Sequence, residues 1–239
     1  MGRVVSLDEP PKDRSADGVV RVPITRGDTR EMAAEVVRIG PGQHWSASVP
    51  DGRDCYLFVL DGAAEITART ARHLLLRHAF ATLEQGVPFS IANVGGPPAA
   101  IVKVEAPLEA GGRPGFRGTI AVDDPSTAAT VDVPEQKKKR IYFVDERAAR
   151  SQRGHAMIVV YEKDTVTGLH HHPDAESLFV VLDGALQFTV NSAPAVVVPG
   201  KAAYFGCDDR HGLRVADGST GASFLEFHIP ADYTTVYGG

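Results

Sequence analysis

The 239-residue chain is poor in sulfur and in tryptophan: two cysteines, three methionines and one Trp. Two thiols, Cys55 and Cys207, make no disulfide framework and fit a reducing compartment. Neither has a neighbour in sequence that argues for a reactive thiolate, so both are read as structural. No apolar run has the length of a membrane span and no secretory h-region is present, so the expectation is a soluble cytoplasmic protein without a membrane partner. Positive charge is not in excess either. Lys and Arg number 25 against 30 Asp and Glu, a net charge of -5, which gives no electrostatic reason to expect nucleic acid. No helix-turn-helix pattern precedes residue 20 or follows residue 230, which argues against a DNA-binding regulator. The one basic cluster, Lys137-Lys138-Lys139-Arg140, reads as a solvated loop end. The glycine-rich stretch Gly111 to Gly118 neither follows a clear strand nor opens a helix, and so makes a poor phosphate cradle.

What is abundant is turn chemistry. Twenty-four Gly and sixteen Pro punctuate short apolar runs such as Tyr56 to Leu60, Ile141 to Val144 and Ala195 to Val198, the pattern of many short strands joined by tight turns. Helix is expected only at Glu146 to Gln152, behind Asp145 as N-cap, and as a turn at Glu31 to Ala34.

The chemistry is concentrated in Gly168-Leu169-His170-His171-His172-Pro173-Asp174-Ala175-Glu176. On a strand His170 and His172 project to one side and His171 to the other. Pro173 and Asp174 suit a turn, after which Glu176 opens the next strand and can return a carboxylate to the same point. Imidazole with carboxylate suits Zn, Fe, Mn, Ni or Cu rather than Ca or Mg.

This spacing resembles the first motif of the cupin superfamily, G-x5-H-x-H-x3,4-E-x6-G. Downstream, Gly200 to His211 is similar to the second, G-x5-P-x-G-x2-H-x3-N, with Gly206 and Asp208 in place of Pro and Gly and Val215 in place of Asn. Asp164 replaces the opening Gly of the first motif, and seven residues rather than six separate Glu176 from Gly184, which puts Ser177 in the usual register of the acid. The resemblance implies a metal held by His170, His172, Glu176 and His211. A bulge at Ala175-Glu176 would restore the aim of Glu176; without one, three histidines and water remain.

A constant offset of 122 residues superposes Asp54-Cys55-Tyr56-Leu57-Phe58-Val59-Leu60-Asp61-Gly62-Ala63 on Glu176 to Ala185. At that offset His170, His172, Glu176 and His211 meet Ser48, Pro50, Asp54 and Phe89, so the first half keeps the strand pattern and lacks the ligands. The resemblance therefore implies an all-β bicupin of two tandem jelly-roll barrels. Its parts are expected as a ligand-free barrel at 1–110, a connection at 111–140 and a metal-binding barrel at 141–239, holding one divalent metal per chain. Fe(II) leads, with Mn, Ni, Zn and Cu as the other candidates.

Of the remaining histidines, His44, His73 and His78 are read as surface or capping groups and His155 as a strand edge. In Phe224-Leu225-Glu226-Phe227-His228-Ile229, alternation sets Glu226 and His228 on one face. If the other face fills an apolar layer, both look into the barrel as candidate catalytic residues; otherwise they are polar groups on an exposed face. Cupins that the chain resembles include iron dioxygenases, isomerases, cyclases, decarboxylases, hydrolases and non-catalytic binding proteins. The leading expectation is a non-haem Fe(II) dioxygenase acting on a small oxygenated metabolite. The alternatives are a redox-neutral isomerase, lyase or cyclase in which Glu226 or His228 moves a proton, and a binding module. The expected partner is a small molecule, with the chain a monomer or homodimer.

Overall fold

Strand alternation organises the computed structural model, which describes residues 1–8, 19–107, 120–144 and 153–238. In Glu176–Gly184, Ser177, Phe179 and Val181 face one way and Leu178, Val180 and Leu182 the other, and nearly all are buried. A strand apolar on both faces must be covered on both. One side is the interior of its own, C-terminal barrel and the other is the N-terminal barrel.

Each barrel is a sandwich of one large and one small sheet. The second pairs a seven-stranded sheet, in the order Arg3–Ser6, Lys201–Phe205, Glu176–Gly184, Gly221–Ile229, His155–Glu162, Lys138–Val144 and Ala129–Val133, with a five-stranded sheet containing Val166–His171 and His211–Val215. The first pairs six strands, centred on Arg53–Asp61 and Ala99–Pro107, with four. Trp45, Leu57, Val59, Ile91 and their neighbours fill the first interior, and Phe179, Phe188, Phe205 and Phe224 the second. A third apolar layer joins Tyr56, Phe58, Phe80 and Val102 of the first half to Leu178, Val180, Tyr204 and Phe227 of the second. The two large sheets thus pack back to back, all-β and in tandem, as the repeat implies.

The repeat also explains its own Asp-Gly pair. Gly62 and Gly184 both have positive φ, +79° and +70°, and a Cβ on either would lie 2.9 Å from the Pro98 carbonyl oxygen or 2.1 Å from that of Gly221. Only glycine fits where the strand turns against its neighbour's backbone.

The ends of the barrels are interleaved. Arg3–Ser6 pairs with Lys201–Phe205 of the second barrel. In the described part of 111–140, Ala121–Asp123 pairs with Phe80–Leu83 of the first, while Ala129–Val133 pairs with Lys138–Val144. The expected helical turn at Glu31 to Ala34 is not formed: Glu31 lies in a bend and Ala33 already opens the strand Ala33–Ile39. Pairing of that strand with Ala99–Pro107 outweighs its local helix propensity. The expected helix at Glu146 to Gln152 lies outside the described residues.

Candidate metal centre

Two adjacent strands bring the histidines together. His170 and His211 are direct cross-strand partners after a register slip between Thr167 and His170, so their side chains share one face. His172 follows two residues later. Potential ligand atoms of the three all lie within 4.8 Å of one another. All three are buried. His171 turns away, its Nε2 4.0 Å from the Asp208 carboxylate.

Each ring is oriented by a backbone carbonyl. Nδ1 of His170 donates to Gly168 (2.8 Å), that of His172 to Thr234 (2.9 Å) and that of His211 to Asp209 (2.9 Å). A carbonyl only accepts, so the proton of each neutral ring sits on Nδ1 and the Nε2 lone pair is left free. Nε2 of His172 and of His211 are buried without a hydrogen-bond partner among the described residues. Burial drives all three imidazoles below their ordinary pKa, to about 4 for His172 and about 3 for His211, with the neighbouring His228 and His170, respectively, adding to the effect. Neutral rings with fixed tautomers and converging bare Nε2 atoms fit a divalent transition metal.

Glu176 does not join them, and the expectation that it ligates is corrected here. One carboxylate oxygen accepts the Arg30 N–H (2.7 Å) and the other those of Glu31 (3.2 Å) and Met32 (3.0 Å), all in the first half. Parity is the cause: Glu176 shares the face of Leu178 and Val180, which meets the other barrel. The strand does carry an irregularity, but between Val181 and Asp183, too far along to re-aim Glu176. Ser177 takes the inward position instead. Its Oγ is 2.9 Å from Nδ1 of His228, whose Nε2 lies 2.6 Å from Oε1 of Glu226.

Glu226 and His228 do face the interior, because Leu225, Phe227 and Ile229 fill the layer between barrels. They line, with His170 and His172, a cavity of about 320 Å³. Burial raises the Glu226 carboxyl and lowers the His228 imidazole to about 3. Both shifts favour the uncharged forms of the pair. Tyr233 stacks on His228 at 4.2 Å between centroids. The Thr234 N–H donates to the Asp174 carboxylate (2.9 Å), so the segment after Ile229 is fastened over the site.

Several lining residues escaped the sequence reading. Lys138 and Arg140, read as a solvated loop end, are half-buried on the strand Lys138–Val144 and line the cavity with Tyr142. Their i, i+2, i+4 spacing is the signal that points to a shared face. His155 also lines the cavity, near His228 and Tyr233. At the equivalent place in the first barrel Phe89 packs edge-on against Trp45, with centroids 5.1 Å apart.

Residues 157–228 match the cupin domain family model. No curated protein matches the sequence. The fold is shared with protein Ylba from E. coli (10% identity, TM-score 0.77, covering 95% of this chain and 90% of that one). It is also shared with oxalate decarboxylase from Lactobacillus farciminis (15%, TM-score 0.74, 98% and 88%) and a putative glyoxylate-induced protein from Pseudomonas aeruginosa (17%, TM-score 0.75, 93% and 84%). Among the described residues no helix is long and apolar enough to cross a membrane.

Proposed function

We propose that this chain, two tandem cupin-like barrels with the cupin match and the histidine cluster in the same one, is an enzyme using one divalent transition metal to act on a small oxygenated metabolite. The observation that carries this is the set of three buried imidazoles with converging Nε2 atoms, of which His170 and His172 line a cavity. As the finer reading we infer a non-haem Fe(II) dioxygenase. Three histidines without a carboxylate leave room beside the ligands for more than one further oxygen donor. When bound, Fe(II) would supply the electron exchange between a chelated substrate and dioxygen. The chain's own part is to fix the three tautomers through Gly168, Thr234 and Asp209, and to shield the site with Tyr233 and Phe179.

One observation favours the redox-neutral reading as a second: Glu226 and His228, 2.6 Å apart in the same cavity, can hold and hand over a proton. There Glu226 would protonate or deprotonate the substrate while Ser177 keeps the His228 ring in place. The reactant is a small molecule, and the chain would work as a monomer or homodimer in the cytoplasm.

Anaerobically purified protein, analysed for metal and tested for oxygen uptake against diketones, phenols and 2-oxo acids, separates the readings. Uptake supports the dioxygenase. Turnover without uptake, reduced roughly 10²- to 10⁴-fold by Glu226→Gln, supports the acid–base reading. Protein that takes up no transition metal overturns both.

A further inference from the structure

We propose that the substrate of this site is a small organic acid whose carboxylate is held by Lys138 and Arg140, resting on the reading of the cavity as the reaction site. Both cations stand on one face of Lys138–Val144 and line the same cavity as His170 and His172. Glu226 is the one acidic side chain among the lining residues, and its pairing with His228 occupies it. Lys138 is held by a neutral group: Nζ donates to Thr167 Oγ1 at 2.7 Å and lies 4.9 Å from the Tyr161 ring centroid. No carboxylate forms an ion pair with Lys138 or Arg140 among the described residues.

Cations placed half-buried against apolar and aromatic walls, with Glu226 as the one acid of the lining and no ion pair among the described residues, are costly unless a ligand supplies further counter-charge. They are also out of keeping with a chain of net charge -5. A cavity lined by two cations and a single acid, itself hydrogen-bonded to His228, within low-dielectric walls focuses potential and draws an anion inward. A planar carboxylate matches the guanidinium fork, and Lys138 can add a point charge. The described lining is strand, the loop that carries Tyr233 and Thr235, and Gln136 at the end of the three-residue 3-10 turn Pro134–Gln136, with no helix N-terminus to cradle a phosphate. Tyr161, Tyr233 and Tyr237 line the cavity as well and can flank the carbon skeleton. The acid end then lies on the Lys138–Val144 strand and a second oxygen is directed to the histidines.

The test uses 2-oxoglutarate and its dimethyl ester as probes, with binding to metal-loaded and metal-free protein measured by calorimetry. The acid is expected to bind at least about 10-fold more tightly than the ester, with affinity falling as salt rises. Arg140→Gln and Lys138→Gln should each lower acid affinity roughly 10-fold or more, by loss of a charge-assisted hydrogen bond, and leave ester binding unchanged. Arg140→Lys should recover part of the loss. Metal stoichiometry and thermal melting of each variant establish that the fold and the histidine centre persist. Equal binding of ester and acid, no acid binding, or full acid affinity in folded Arg140→Gln and Lys138→Gln overturns the proposal. Wild-type protein that takes up no metal but binds the acid through Arg140 would overturn the metal-enzyme reading and leave this one standing.

Discussion

Glu176→Gln separates a structural from a ligating carboxylate. The side chain is 2% exposed, and its two oxygens accept three backbone N–H groups of Arg30, Glu31 and Met32 from the other barrel. A glutamine keeps one acceptor oxygen and turns an NH2 towards donors. At about 1.5–3 kcal/mol for each hydrogen bond to a charged group, and with one oxygen kept, a net loss of about 3 kcal/mol is expected. For a chain of this size that is a fall in Tm of about 6–12 °C. The assay is a pair of measurements on one preparation, scanning calorimetry and a metal titration. Stability should fall while metal affinity stays within about threefold of wild type, a tolerance far below the 10- to 100-fold cost of losing even a partner of a ligand. The opposite result, unchanged melting with metal affinity down by that factor, would place Glu176 on the metal and refute the register argued here.

The same pair of assays should behave differently at the histidines. His170→Ala, His172→Ala and His211→Ala should each abolish tight binding of the single metal, whereas His171→Ala should leave it nearly intact; two ions per chain by elemental analysis would contradict the assignment of the first barrel as ligand-free. Asp54→Asn, which breaks the buried pair with Arg153 at 3.3 Å, should lower stability by about 3 kcal/mol without touching metal affinity, read by denaturant unfolding. Metal-free protein should lose stability as pH falls. The unfolded chain takes up protons below about 6.5, whereas His172 and His211 stay neutral in the fold down to about 4 and about 3, so stability is present above the first value and declines towards the second. A flat stability profile between pH 6.5 and 4 would mean that these rings are not buried as neutral groups.

The alternation in the sequence was sufficient for the barrels and for the convergence of three histidines, since the placement of His170, His172 and His211 depends only on strand parity and one turn. It was also sufficient for the inward aim of Glu226 and His228, once Leu225, Phe227 and Ile229 had an apolar layer to fill. It failed for Glu176 because the motif spacing and the strand parity disagree by one residue, and parity prevailed: both faces of that strand are covered, so a slip would bury Glu176 among Phe179 and Phe205 and strip three N–H groups of their acceptor. Lys138 and Arg140 were missed for another reason. Their spacing sets Lys138, Arg140 and Tyr142 on one face, but the choice of inner face is made by pairing with His155–Glu162, where Arg140 meets Val159 and Tyr142 meets Met157. Such a long-range contact leaves no trace in the local pattern.

The offset that relates the two halves also relates their fastenings, which gives the ligand-free barrel a role. Asp54 and Glu176 are equivalent positions, and each leaves its own barrel: Asp54 reaches Arg153 at the start of the second, and Glu176 reaches residues 30–32 at the start of the first. Arg153 and Glu31 are themselves separated by the same 122 residues. The two contacts are therefore a reciprocal pair about an approximate twofold, as expected of isologous packing. An acid that the spacing of one barrel alone would assign to metal chemistry is thus committed, in both halves, to holding the barrels together. That commitment leaves the second barrel with Ser177 at the inward position, where its hydroxyl orients His228 towards Glu226. The first barrel, its interior closed by Trp45 and Phe89, supplies the N–H groups that hold Glu176 away from the histidines. The three-histidine composition of the candidate centre is in this sense a product of the tandem arrangement.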